Sequence, residues 1–223
     1  MTRRAPVRAG DHHPVSRARV PGNTWRATAP VHGPLENIIC TRIHFLIMQD
    51  PLLEPSGALV ADLDGSLFEY TRSIWTGDFT KEIDAGLVAA IPLLPWAARR
   101  LDVIVQMRPL YINTGRGNAL KEVTCAVLDG LGLVPKEIAC IDAMSIENYI
   151  GQKIATVKRQ IASAYVAVKN QRNIFVVEDN PDVIEYIGVQ FGDWPRLVAI
   201  AVDDGEPRVL FDNREDLSDV FGG

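Results

Sequence analysis

Five short apolar runs with helical patterns between them constrain this chain more than any other feature of its sequence. They fall at residues 58–63 (ALVADL), 110–113 (LYIN), 138–141 (IACI), 173–177 (NIFVV) and 197–202 (LVAIAV). All are rich in β-branched residues and nearly continuously apolar, as suits strands covered on both faces. Leu120, Val123, Val127 and Leu131 recur at steps of three and four, with Gly132 as a stop signal. Ile150, Ile154, Val157, Ile161, Tyr165 and Val168 form a second such stripe, and Pro181 suits the first turn of a helix through Val183, Ile184 and Ile187. Strand–helix alternation of this kind predicts an α/β fold, a doubly wound parallel sheet. Residues 68–107, interrupted by Pro92 and Pro95, read as one or two helices forming a small flap over the sheet edge.

Composition divides the chain of 223 residues in two. Residues 1–50 hold seven Arg, no Lys, three acidic residues and all four His, whereas residues 51–223 carry a net charge of −9. The first part, rich in Pro and Gly, is expected to be a disordered or loosely attached basic tail. It reads as an arm for an anionic partner, as a targeting peptide, or as a dispensable extension ahead of Met48. Residues 51–223 are expected to form one domain. No apolar run approaches the roughly 18–20 residues of a membrane span. Three cysteines, Cys40, Cys125 and Cys140, have no metal-ligand spacing and suit buried thiols in a reducing, cytoplasmic compartment. With no His after residue 44, histidine catalysis and zinc binding by the body are excluded. The acidic body argues against a broad nucleic-acid surface and leaves room only for a local basic groove.

In a doubly wound sheet the active site lies outside the carboxyl ends of the strands, so the polar residues that end the apolar runs should converge. The first run ends in Asp62-Leu63-Asp64-Gly65. Carboxylates at i and i+2 share a side in extended chain, and two close anions need a cation between them or a proton. Mg²⁺, which prefers oxygen ligands, satisfies that need; capping of the strand and turn is the plainer alternative. The second run ends in Thr114-Gly115-Arg116, where a hydroxyl and backbone N–H groups at a helix start make an anion seat, unless Thr114 only caps the helix. Lys153, early in the next helix and off its apolar stripe, would bring a positive charge to the strand ends, with Lys158 as the rival. The fourth run ends in Glu178-Asp179, followed by Asn180-Pro181. This acidic pair completes a hard-cation site with the first, while Asn180 or Asp179 can also cap the following helix.

Taken in this order, the four motifs resemble those of the haloacid dehalogenase superfamily of phosphohydrolases and phosphotransferases. Asp62-Leu63-Asp64-Gly65-Ser66 matches its D-x-D-G-[T/S] strand end, Thr114 its second motif, Lys153 its lysine, and Glu178-Asp179 the acidic pair, with Glu in place of the commoner first Asp. The resemblance spans roughly residues 57–202. It implies a Rossmann-like core and a Mg²⁺-dependent phosphatase acting through an aspartyl-phosphate. Asp62 would be the nucleophile and Asp64 the acid and base. Thr114, Gly115, Arg116 and Lys153 would bind the phosphoryl group, and Asp62, the Asp64 backbone carbonyl and Asp179 would hold the metal, with Glu178 nearby. The intervals between motifs are mostly used by the strands and helices already counted, so no large cap domain is expected. Capless relatives act on large phosphorylated substrates such as nucleic-acid ends or phosphoproteins; oligomerisation could instead close the site over a small one. The competing reading is a catalytically silent or regulatory phosphate-binding module on the same fold. A receiver-like domain fits poorly, because there the acidic pair ends the first strand and no acidic pair follows the lysine.

Overall fold

The structure is a computed structural model in which residues 52–70, 84–169 and 171–214 are described. The expectation for residues 1–50 lies outside them. Among the described residues one sheet holds β1 (Ala58–Asp62), β2 (Leu110–Thr114), β3 (Glu137–Cys140), β4 (Ile174–Glu178), β5 (Leu197–Asp203) and β6 (Glu206–Asp212). The helices are α1 (Ala85–Ala89), α2 (Pro95–Arg99), α3 (Leu101–Gln106), α4 (Lys121–Gly130), α5 (Ile146–Val168) and α6 (Pro181–Phe191). The strand order is β3-β2-β1-β4-β5-β6, parallel throughout except for β6, which runs antiparallel to β5. This is a Rossmann-like doubly wound sheet whose order reverses between β1 and β4.

The near-continuous apolar runs follow from two-sided burial. Leu59 and Ala61 of β1, Phe175 and Val177 of β4, and Val198, Ile200 and Val202 of β5 face one core. Their alternates Ala58, Val60, Ile174, Val176, Leu197 and Ala199 face a second core with Val157, Ile161 and Ala164 of α5 and Val183, Ile187 and Phe191 of α6. A period of two therefore supplies both faces, and no polar position interrupts the interior.

Two parts of the fold differ from the sequence expectation. The described part of the segment after the first motif, residues 84–107, is not a flap. Its helices supply Trp96, Ala97 and Ile104, together with the adjoining Ile91, Leu94 and Met107, to the core under β1, β2, β4 and β5. The proline at position 95 starts α2 at its first turn, where a missing N–H costs nothing. Trp96 donates its indole N–H to Ser66 O at 3.1 Å, tying this layer to the turn after β1. A sixth strand adds to the five that the apolar runs predict: it is an edge, mostly exposed or half-buried, and lacks a continuous apolar run. Its signal is Asp204-Gly205, both at positive φ (48° and 81°), the pair a tight hairpin demands. Pro207 is tolerated because an edge strand leaves one side unpaired. Cys125 and Cys140 are free and half-buried, less enclosed than expected. No helix among the described residues is long and apolar enough to cross a membrane.

Trp96→Ala distinguishes core from flap. A buried tryptophan removed from a packed layer should lower the unfolding free energy by about 3–5 kcal/mol, measured by urea denaturation; a detachable flap would leave the midpoint unchanged.

Candidate functional site

At the reversal point the ends of β1 and β4 lie side by side, with Ala61 opposite Val177, so Asp62 and Glu178 leave the sheet as neighbours. Both are buried. Between them sits the ammonium of Lys153, 2.9 Å from Asp62 Oδ1 and 3.0 Å from Glu178 Oε1, and donating to the Tyr149 hydroxyl at 3.1 Å. Lys153 is itself 1% exposed and belongs to the buried stripe of α5 with Val157, Gln160, Ile161, Ala164 and Val168. This corrects the placement of Lys153 off the apolar stripe. The stripe contains two polar residues, each held by partners on the sheet. Gln160 donates to Ile112 O at 2.9 Å and to Glu137 Oε1 at 3.0 Å. Lys158 is exposed and plays no part in the cluster.

The turn after β1 brings in Asp179. Gly65 has φ +89°, and a Cβ there would stand 2.1 Å from Asp179 Oδ2, so glycine is required both by the backbone and by the neighbour. Ser66 donates its hydroxyl to Asp179 Oδ1 at 3.2 Å. Asn180, not Asp179, caps α6, accepting from Asp182 N at 3.0 Å and Val183 N at 3.3 Å. Relieved of capping, Asp179 joins Asp62 and Glu178 in a group whose ligand oxygens lie within 4.8 Å of one another.

Three carboxylates share one ammonium, which leaves an excess of two negative charges if all are ionised. Burial pushes the Asp62 carboxyl up to about 8, Lys153 pulling it down and Asp179 pushing it up. Burial likewise raises Glu178 to about 7 against the pull of Lys153. Asp179 is raised by burial and by Glu178. For Lys153, burial acts to lower the value, but Asp62 and Glu178 outweigh it and hold the ammonium charged well above its usual range. Such a cluster must take up protons or a cation. The donors suit a hard divalent ion: all are carboxylate oxygens, the excess charge of the fully ionised group is two, and Glu178 Oε2 is buried without a hydrogen-bond partner among the described residues.

A second charge pair stands beside the first. Arg116 is fully buried and grips Asp64 by two hydrogen bonds, Nε to Oδ2 at 2.8 Å and Nη2 to Oδ1 at 2.6 Å. Its guanidinium carbon lies 5.2 Å from the centre of the Phe68 ring. The Asp64 side chain is therefore committed to Arg116 and stands outside the carboxylate cluster. Thr114 is buried and accepts from the Arg116 N–H at 3.1 Å. It does not cap a helix: the 3₁₀ turn at Asn118–Leu120 and α4 begin later, so the strand ends in a side-chain-braced turn and not at a helix N-terminus. Asp142 braces the far side of that turn, accepting from Asn118 N at 2.7 Å.

Of the residues the sequence pointed to, Asp62, Lys153, Glu178 and Asp179 thus form one group, and Asp64, Arg116 and Thr114 a second at the adjoining strand ends. Tyr149 and Ser66 were missed as site residues. The signal for Tyr149 was its spacing: four residues before Lys153 on one helix, it shares that face. Ser66 was present in the first motif without an assigned role.

The sheet order and the acidic cluster define a Rossmann-like α/β protein with a candidate metal site at the β1/β4 reversal. No protein-family profile and no curated protein matches the chain. Among solved structures it is similar to a chain of the Pnkp1/Rnl/Hen1 complex, with 17% identity and a TM-score of 0.44 over 68% of this chain and 47% of that one. It is also similar to a chain of the Pnkp1/Rnl/Hen1 RNA repair complex, with 16% identity and a TM-score of 0.41 over 70% of this chain and 45% of that one. The chain spans less than half the length of either. At these values the architecture rests on the chain's own strand order.

Two outcomes test the site. Gly65→Ala should cost roughly 1–3 kcal/mol through backbone strain, more once Asp179 is displaced, and should weaken Mg²⁺ binding in calorimetry. The second concerns pH. Asp62 and Glu178 keep protons in the folded state up to about 8 and about 7 but lose them at ordinary carboxylate values when unfolded. Folding in EDTA therefore takes up protons, so thermal stability should fall as the pH rises from about 5 to about 8. Mg²⁺ should reverse the fall at the upper end, read by differential scanning fluorimetry.

Proposed function

We propose that this chain is a Mg²⁺-dependent phosphohydrolase that cleaves a phosphomonoester through an aspartyl-phosphate on Asp62. The observation that supports it best is Lys153, buried 2.9 Å from Asp62 in a cluster of three carboxylates that, when ionised, carry more negative charge than the lysine can offset. A carboxylate attacks an anionic phosphate only where cations offset the repulsion, and a lysine and a divalent ion at one strand end supply two. Asp62, Glu178 and Asp179 would hold Mg²⁺, which when bound supplies charge neutralisation to the phosphoryl oxygens.

The steps follow from the side chains. An Asp62 oxygen attacks phosphorus, the ester P–O bond breaks, and the leaving oxygen takes a proton from Asp64. Water then attacks the acyl-phosphate, Asp64 takes its proton, and inorganic phosphate leaves as Asp62 is restored. Lys153 holds a phosphoryl oxygen, and the Thr114 hydroxyl, whose oxygen already accepts from Arg116 N–H, keeps its own proton to donate. Arg116 Nη1, buried and without a hydrogen-bond partner among the described residues, can serve a further phosphoryl oxygen together with the Gly115 turn. The substrate class we favour is a phosphate on a macromolecule, such as a nucleic-acid end or a phosphoprotein. Among the described residues, the segments after β1 and β2 are spent on helices packed against the sheet and neighbouring helices.

One observation favours the alternative of a silent phosphate-binding module: both carboxylate oxygens of Asp64 are already engaged by Arg116 through two charged hydrogen bonds. Turnover separates the two. With Mg²⁺, p-nitrophenyl phosphate should be hydrolysed. Asp62→Asn or EDTA should abolish hydrolysis, and Asp64→Asn should lower kcat by about 10²–10⁴. Full-rate activity in Asp62→Asn would remove the nucleophile, and phosphate binding without turnover would establish the module. A screen of phosphorylated oligonucleotides, phosphopeptides, nucleotides and sugar phosphates would then identify the substrate class.

A further inference from the structure

The buried stripe of α5 carries a second polar residue, Gln160, seven positions after Lys153. Seven residues are close to two turns, so the two side chains share a face about 10.5 Å apart along the helix. Gln160 is fully buried. Its Nε2 donates to Ile112 O at 2.9 Å and to Glu137 Oε1 at 3.0 Å, and its Oε1 accepts from Asn113 Nδ2 at 3.4 Å. All three contacts are made to β2 and β3, whereas Lys153 meets Asp62 and Glu178 at the ends of β1 and β4. Directional contacts thus fix α5 at two separate places on the sheet.

As a filling for the interior, this amide network is poor. Asn113 Oδ1 is buried without a hydrogen-bond partner among the described residues. Apolar side chains of similar volume would pack beside Val157 and Ile161 without stripping water from two amides. What the amides add is direction. Burial of Val157, Ile161 and Ala164 is favourable at any nearby helix position, because the hydrophobic effect is non-directional. A slip of one residue along α5 would move the stripe by about 1.5 Å and turn it by about 100°. Hydrogen bonds weaken steeply away from their geometry and so resist even a fraction of that slip. Glu137 is also held by Arg159, the preceding residue of α5, but that ion pair is largely exposed and joins two long, flexible side chains. Gln160 is the buried contact.

We infer that Gln160 is a positioning residue: through Ile112, Asn113 and Glu137 it sets the register of α5 on the sheet and so places Lys153 between Asp62 and Glu178. The inference rests on the reading that Lys153 serves the phosphoryl group beside Asp62. Gln160 touches none of the reacting atoms and acts only through the helix it shares with Lys153. A glutamine of purely structural value would change stability alone, and its effect would be independent of Lys153.

The test uses the full chain with two replacements. Gln160→Met keeps the length of the side chain and removes the amide. Asn113→Leu/Gln160→Met removes both amides, so that neither is left facing an apolar partner. With Mg²⁺ and p-nitrophenyl phosphate, the double variant should keep a urea midpoint close to that of wild type while kcat/KM falls about 10²-fold, and calorimetry should show weaker binding of inorganic phosphate. A second arm measures urea midpoints in EDTA for Gln160→Met, Lys153→Met and their combination. Sites this far apart without shared partners have nearly additive effects. Register control predicts instead that Lys153→Met changes the midpoint less in the Gln160→Met background, where the ammonium has already lost its seat. Wild-type kcat/KM in a folded double variant, or additive midpoints, overturns the inference. If the double variant does not fold, or the wild type does not turn over, the midpoints decide: non-additivity upholds the positioning role, and absent turnover removes only the phosphohydrolase reading.

Discussion

A charged lysine buried among three carboxylates is the constraint on which the rest of this structure depends. An ammonium enclosed at 1% exposure is tolerable only with close counter-charges, and Asp62 and Glu178 supply them at 2.9 Å and 3.0 Å. Those carboxylates can be adjacent only because β1 and β4 pair in parallel across the point where the strand order reverses. Lys153 can reach them only because the first turns of α5 lie over that junction. The sheet order, the register and the facing of α5 are thus coupled through one buried cation. The arrangement is deliberately incomplete as a charge balance, since Asp179 adds a carboxylate that nothing within the cluster neutralises. A group poised in this way is better suited to receiving a cation than to stabilising a fold.

The neighbouring Asp64–Arg116 pair is nearly as enclosed, but it balances. Its two hydrogen bonds, and Phe68 beside the guanidinium, make it a self-contained unit at the edge of the unbalanced one. The division matters chemically. Asp62 and Asp64 are two residues apart in sequence, yet the fold gives one to a lysine and an acidic cluster and the other to an arginine. Identical side chains two residues apart thus meet different partners. Thr114 and the turn at Gly115 stand at the adjoining strand end, and Tyr149 bridges from Lys153 to that turn.

Much of this was legible in the chain. The five interior strands were readable because burial on both faces removes polar positions, so the runs stand out from amphipathic helices. The carboxylates were readable because each ends such a run, and strand ends of a parallel sheet converge. The errors share one physical cause, long-range contact overriding a local pattern. Lys153 was placed off the stripe because a lysine among apolar residues ordinarily marks an exposed face, whereas here its counter-charges come from strands distant in sequence. Thr114 resembled a helix cap, but its hydroxyl serves the Arg116 N–H and the helix begins further on. The segment from α1 to α3, interrupted by prolines, looked peripheral, yet Trp96 and Ile104 fill the core. An edge strand lacking a continuous apolar run left β6 with only its Asp-Gly turn as a signal.

The sequence by itself determined the class of sheet and the chain order of the polar strand ends, because these follow from burial and periodicity within a few residues. Only the tertiary structure decided which carboxylate meets which cation, that Asp179 is free of capping duty, and that Tyr149 lies over Gly115 with its hydroxyl on Lys153. Those outcomes are distances between segments far apart in the chain. They are set by packing of helices onto the sheet, which no local pattern encodes.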